Sequence, residues 1–280
     1  MTQIEIIPFD AGEALLDWLD LTDALISGHE QPKAEIADTF LYRGKDTLLN
    51  RAAWIDGLGL AVKSATVFPG NPAKGAPMVN GGVSLYGDAD GALEALVDFH
   101  LVTKWKTAGD SLLAARLLAR PDSKNILIVG AGTQGRGLHE AYSALSIVQD
   151  LESAVRAADI ITCATMSTSP LIMGDWLKPG QHIDLIGAYR PDMREVDDLA
   201  LNRASVFVDS FDTTVDHIGE LKIPLGTGAI SRDSILADYY DLTQFKRRSA
   251  DEITLFKNGG GAHLDLMTSR YILDRWRKRP

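Results

Sequence analysis

Asn125-Ile-Leu-Ile-Val-Gly130-Ala-Gly132-Thr-Gln-Gly135 is the stretch on which the reading of the fold turns. Its first half is a continuous apolar run, short enough for a strand buried on both faces. The run ends in Gly130-x-Gly132-x-x-Gly135 and passes straight into a helical pattern at residues 136–145. In that order each glycine has a task. The first makes a tight turn, the second lets the backbone approach a pyrophosphate, and the third lets the helix pack close to the strand, while the helix N-terminus adds partial positive charge. The spacing predicts a dinucleotide site built on Gly130 and Gly132, with a plain structural turn as the alternative.

Downstream, apolar runs at residues 160–164, 182–187 and 205–209 predict three more buried strands, with helical patterns at 150–158 and 191–204. Alternation of this kind makes a parallel sheet with helices on both faces, an α/β domain of the Rossmann type over residues 120–261. One expected feature is missing. An acidic residue about 20 positions beyond the glycines, at the end of a second strand, ordinarily holds the ribose hydroxyls. Here the helix at 136–145 leads through Ser146-Ile-Val-Gln149 directly into Asp150-Leu-Glu-Ser153, which reads as the approach to a later strand. A βα unit of roughly 30 residues therefore has no place to sit. Its omission would leave unpaired backbone groups beside the first strand. The expectation is that a βα unit is lacking near residues 145–146, which are not neighbours in the natural protein.

Upstream the periodicity changes. Apolar positions Leu15, Leu16, Trp18, Leu19, Leu25 and Ile26 among acids predict one or two amphipathic helices. The β-rich segments 39–43, 47–54, 58–68 and 83–86 are separated by the turn signals Gly44-Lys-Asp, Asp56-Gly and Pro69-Gly-Asn-Pro72, and Gly87-Asp-Ala-Asp-Gly91 closes a hairpin. A helix follows from Leu101 to Ala119 and stops at Arg120-Pro-Asp-Ser. This predicts an α+β domain over residues 1–119 with an antiparallel or mixed sheet.

The chain has 280 residues, 45% hydrophobic, and a formal net charge of −10, which repels a phosphate backbone and argues against nucleic acid as a partner. The basic tail Arg275, Arg277, Lys278, Arg279 reads as the solvated end of a last helix. The single cysteine, Cys163, lies in an apolar run and reads as a core filler that can form no internal disulfide. The histidines show no metal-ligand spacing, so no metal site is expected. Without an 18-residue apolar run or a basic and then apolar leader, the expectation is a cytoplasmic protein with no membrane span.

Successive blocks along the chain resemble the signatures of the ornithine cyclodeaminase/mu-crystallin family, in family order. They are Lys63-Ser-Ala-Thr-Val-Phe-Pro-Gly-Asn-Pro72, Thr103-Lys-Trp-Lys-Thr-Ala-Gly-Asp-Ser111, Ala115-x-x-Leu-Ala-Arg-Pro121, Gly130-Ala-Gly-Thr-Gln134, Ala158-Asp-Ile-Ile-Thr-Cys-Ala-Thr165, Ile186-Gly-Ala-Tyr-Arg-Pro-Asp-Met-Arg-Glu-Val-Asp197 and Ile253-Thr-Leu-Phe256. The resemblance implies that residues 1–119 and the C-terminal helix 262–280 form a substrate and dimerisation domain in a homodimer, with NAD or NADP on the other domain. It also implies hydride transfer between nicotinamide and a nitrogen-bearing α-carbon, through an imino acid. That chemistry needs cations for a carboxylate, a proton donor near the C=N bond, and exclusion of water.

By the same resemblance Lys63 is the acid/base or an electrostatic anchor. A lysine inside a strand beside Val62 and Ala65 is otherwise costly to bury unless paired; the alternative is an edge-strand lysine facing water. Lys106 stands where relatives carry arginine and keeps the charge without the bidentate fork. Arg51 compensates, or is a surface residue, and Arg43 reads as a solvated hairpin side chain. Thr107, Thr133, Gln134, Thr165 and Met166 match positions lining the cofactor, and Asp265 matches the block that closes over it. Family cyclodeaminases carry an aspartate where this chain has Tyr189, which leaves a distal ammonium without its natural partner. The favoured expectation is thus an NAD(P)H-dependent ketimine reductase making a small L-amino acid, from pyrroline-2-carboxylate or from the imine of a 2-oxo acid. Ornithine cyclodeamination is the alternative within the family. A non-catalytic, mu-crystallin-like binding protein is the alternative of another class, and retention of Lys63 speaks against it.

Overall fold

The computed structural model describes residues 4–130, Gly132, Gly135 and 148–279, which fall into two compact units, residues 1–106 with 261–280 and residues 107–260. The first unit is built on a six-stranded sheet in the order β1-β6-β5-β4-β3-β2. Its strands are β1 (Glu5–Ile7), β2 (Glu35–Arg43), β3 (Asp46–Ile55), β4 (Gly59–Val67), β5 (Val79–Tyr86) and β6 (Leu93–Asp98). β2 to β6 run as an antiparallel meander and β1 adds in parallel to β6, so the sheet is mixed.

Alternation along the strands sets the faces. In β4, Ala61, Lys63 and Ala65 are buried while Leu60, Val62, Ser64 and Thr66 point the other way. Register carries the inner row across all six strands as Asp38, Arg51, Lys63, Val83, Val97 and Ile7. The row is apolar at one end and charged at the other. The last helix, α8 (Ala262–Arg277), covers this face and packs against β3, β4 and α2 (Trp18–His29); the short α1 (Phe9–Glu13) precedes α2. Asp17 caps α2, its Oδ1 accepting from the N–H groups of Leu19 and Asp20 at 2.8 and 3.1 Å.

The second unit holds a parallel sheet in the order β11-β10-β12-β9-β8-β7. The strands are β7 (Ile126–Val129), β8 (Ile160–Cys163), β9 (His182–Leu185), β10 (Ser205–Val208), β11 (Ile235–Ala237) and β12 (Thr254–Lys257). The described helices of this unit are the second half of α3 (Phe99–Leu118), α4 (Leu151–Ala157), α5 (Asp198–Arg203), α6 (Phe211–Thr214) and α7 (Gly219–Thr227). β8, β9 and β12 are buried at every position, and β8 and β9 read accordingly as unbroken runs rather than alternating ones. Division of the chain inside α3 has a visible cause. In its second half the Ser111 hydroxyl donates to Asp184 of β9, and the Leu118 carbonyl accepts from the Thr254 hydroxyl of β12 at 3.1 Å.

The α/β class, with a Rossmann-type sheet and a separate mixed-sheet domain, stands as the sequence predicts. The helix expected over 191–204 does not: only Asp198–Arg203 is helical. Residues before it are held extended, with Val196 bridged to Ile172 and the Glu195 carbonyl accepting from the N–H groups of Leu171 and Ile172. Cys163 is wholly buried, as a core filler should be. The junction at 145–146 lies outside the described residues, and among those described nothing pairs with the outer edge of β7. Among the described residues no helix is long and apolar enough to cross a membrane, and no cluster of His, Cys, Asp and Glu could hold a metal ion.

Candidate active site

Lys63 sits in an interior strand on the helix-covered face, 7% exposed. Its Nζ donates to the Thr103 hydroxyl at 2.9 Å and to Asp265 Oδ1 at 3.0 Å, and lies 4.7 Å from the centre of the Phe99 ring. Lys106, one helical turn beyond Thr103, places its Nζ 3.2 Å from the same Asp265 oxygen. Arg51 is the direct cross-strand neighbour of Lys63 and pairs with Asp38, its Nη2 3.0 Å from Oδ2. Lys63 and Lys106 thus share the buried carboxylate of Asp265, and the more open Arg51–Asp38 pair lies beside them along the same row.

Electrostatics follow from that crowding. Burial, reinforced by Lys106 and Arg51 and opposed by Asp265, lowers the Lys63 ammonium to about 8. Burial pushes the Asp265 carboxyl up, but Lys106, Lys63 and Arg51 overcome it and hold the group below the ordinary carboxylate range. His263, wholly buried nearby, is lowered to about 3 by burial and by Lys106, so it stays neutral at physiological pH. The cluster can therefore receive an anion, and its central lysine can exchange a proton near neutral pH.

The three residues expected to carry chemistry, Lys63, Arg51 and Lys106, are brought together. Lys63 does not occupy an edge strand, and Arg51, partly exposed, pairs with the exposed Asp38. Arg43 is solvated in the β2–β3 turn and pairs with Asp46 at 2.9 Å. Asp265, expected at the cofactor, lies on α8 with its carboxylate against both lysines. Sequence reading missed Thr103, Phe99 and Asp38. Asp38 was within reach: counting outward from the Gly44-Lys45 turn sets it opposite Arg51.

In the second unit the glycine turn fits a dinucleotide. Gly130 has φ of 114°, and a Cβ there would sit 2.6 Å from the Ala164 carbonyl oxygen, so only glycine suits the tight turn. Gly132 is exposed with nothing near its missing Cβ, leaving the backbone open to approach, and a Cβ on Gly135 would overlap the Gly130 carbonyl. These are the three tasks the fingerprint assigns. Thr165, half-buried after β8, donates from its N–H and hydroxyl to Glu195; Met166 beside it is 68% exposed. Thr107 is half-buried on α3, while Thr133 and Gln134 lie outside the described residues. Tyr189 is exposed on the loop after β9, its ring 6.0 Å from the Arg190 guanidinium carbon.

A family model described as ornithine cyclodeaminase/mu-crystallin matches residues 55–151 and 140–279. A Delta(1)-pyrroline-2-carboxylate reductase of Paracoccus denitrificans is 48% identical over 291 aligned positions, covering 92% of each chain. The ketimine reductase mu-crystallin of Mus musculus is 28% identical over 78% of this chain and 76% of its own. Among solved structures, a Thermococcus litoralis Delta(1)-pyrroline-2-carboxylate reductase in complex with NADH and L-proline superposes with a TM-score of 0.89 at 24% identity, covering 98% of both chains. Blocks of motif, fold and whole-chain similarity agree: the chain belongs to the ornithine cyclodeaminase/mu-crystallin family.

Proposed function

We propose that this chain is an NAD(P)H-dependent reductase of a small cyclic imino acid, with pyrroline-2-carboxylate as the first candidate. The carrying observation is Lys63, buried between Thr103 and Asp265 with Lys106 and Arg51 beside it. The substrate class is supported by the 48% identity to the Paracoccus enzyme, which bears that activity in its name. When bound at the glycine turn, NAD(P)H supplies the hydride. This chain's own residues do the rest: Lys106 and Arg51 attract the substrate carboxylate, and Lys63 gives a proton to the nitrogen of the C=N bond. The amine product then carries one new C–H and one new N–H bond. Lys63 is left neutral, a state its burial favours, and recovers its proton from water.

The same reading assigns the first compact unit, residues 1–106 with 261–280, to substrate binding and dimerisation, and the second, residues 107–260, to the nucleotide, with a βα unit lacking near 145–146. Support for the gap comes from two sides. β7 is the edge of the described sheet, on the side where a second strand would follow. The family model matches in two blocks that meet at 140–151, and the Paracoccus alignment is longer than the 280-residue chain.

The deciding experiment is NADH and NADPH oxidation at 340 nm against cyclic imines and 2-oxo acids with ammonia, with ornithine run alongside for proline formation. Turnover of an imine and none of ornithine is expected. Proline and ammonia from ornithine would move the chain to the cyclodeaminases.

A further inference from the structure

Glu195 is wholly buried in the second unit, and its carboxylate joins two loops. Oε1 accepts from the Thr165 N–H at 2.7 Å and the Thr165 hydroxyl at 2.8 Å. Oε2 accepts from the N–H groups of Gly187 at 2.9 Å and Ala188 at 3.2 Å. Thr165 belongs to the loop after β8, and Gly187 and Ala188 to the loop after β9. These loops touch each other and the glycine turn. A Cβ on Gly187 would overlap the Thr165 backbone, and one on Gly130 would lie 3.4 Å from the Thr165 methyl. Carboxylate, loops and turn are one contiguous layer at the C-terminal ends of β7, β8 and β9, where open parallel sheets bind their ligands.

The carboxylate is itself braced. The N–H groups of Glu195 and Val196 donate to the two oxygens of Glu220 at 2.6 and 3.1 Å. Lys257, the buried cation of this layer, donates from Nζ to the carbonyls of Leu185 and Asn258 at 2.8 and 2.6 Å. Burying an anion is a costly way to close two loops unless their exact separation matters. Donors arriving from both sides need a group with two acceptor atoms and no donor, which among side chains of this length only a carboxylate offers. The ribose-reading strand of a dinucleotide fold lies beyond the outer edge of β7, so the nicotinamide half belongs over β8 and β9.

We propose that Glu195 is a positioning residue: it sets the loops at residues 164–167 and 186–189 against the Gly130 turn, so that the nicotinamide half of the cofactor meets a preformed surface. This rests on the dinucleotide reading given above.

The test is Glu195→Gln, in which an amide NH2 faces N–H donors on one side. NADH binding is followed by its fluorescence, thermal stability by circular dichroism, and imine reduction by steady-state kinetics. The expected result is a folded variant whose Kd for NADH rises about tenfold or more. At saturating NADH its kcat falls more than its KM for the imine rises. A folded variant with Kd within about twofold of the parent, a loss the size of one weak hydrogen bond or less, overturns the proposal. Should the variant not fold, hydrogen exchange in the parent chain decides. Slow exchange at the Thr165, Gly187 and Ala188 amides before NADH is added is expected, and free exchange there overturns the clamp. A parent chain that binds no NADH overturns both this and the proposed function. One that binds NADH but reduces no imine overturns only the reduction, and the Kd comparison still judges Glu195.

Discussion

Lys63 was legible as a candidate because a lysine in an apolar strand demands a partner, yet the partner was not. Asp265 is 202 positions away in sequence, and only the packing of α8 on the sheet brings it within 3.0 Å. The pairing has measurable consequences. With an ammonium near 8, the proton donor for imine reduction is present below pH 8 and lost above it. kcat/KM for reduction should therefore be flat to about pH 8 and fall about tenfold per pH unit beyond. In the reverse direction, amine oxidation needs the neutral lysine and should rise to a plateau above about pH 8. Lys63→Ala should remove that limb and lower kcat by about 10²- to 10⁴-fold. In Asp265→Asn the interaction that raises the lysine is gone, so the limb should move to lower pH. Two neighbouring ammonium groups then lose a buried counter-ion, and unfolding in urea should report a loss of about 3–5 kcal/mol. An unmoved limb would show that the titrating group is not Lys63.

At the scale of elements, the strands β7, β8, β9 and β10 were read correctly because the apolar run is a local signal. Three strands escaped. β1 and β11 have three residues each, and β12 carries the wholly buried Lys257, which breaks an apolar pattern. The false helix over 191–197 has the opposite cause. Its composition permits a helix, but the backbone of Glu195 and Val196 is committed to Glu220 and to the Leu171–Ile172 strand edge, contacts that no local window contains. The glycine turn yields a direct prediction. Gly130→Ala puts a side chain at a φ of 114° and against the Ala164 carbonyl. The turn must open, and NADH affinity measured by fluorescence should fall by about tenfold or more while far-UV circular dichroism is unchanged.

For the whole molecule, the outer face of the first sheet poses the largest question of burial. Register aligns Ile6, Leu96, Ser84, Val62, Ala52 and Ala37 across it, with Leu60, Trp54 and Tyr86 in the adjoining row. Ile6 is 69% exposed, Trp54 48% and Leu96 41%, and a cavity of about 440 Å³ opens there beside Trp54, Leu60 and Tyr86. The inner face of the same strands is covered by α8, so this apolarity is not demanded by the chain's own core. Contiguous apolar surface of this kind marks an interface. A homodimer that pairs this face with its copy would bury it, in keeping with the commonest symmetry of soluble oligomers. Sedimentation equilibrium should then give twice the 30.4 kDa chain mass. Leu96→Glu, on this face and away from Lys63, sets a charge directly beside Ile6 in the neighbouring strand and should shift the protein toward monomer. Its NADH affinity should stay close to the parent's, because the glycine turn belongs to the other compact unit. A parent chain that sediments at 30.4 kDa over the micromolar range would mean that the outer face is covered by something other than its own copy.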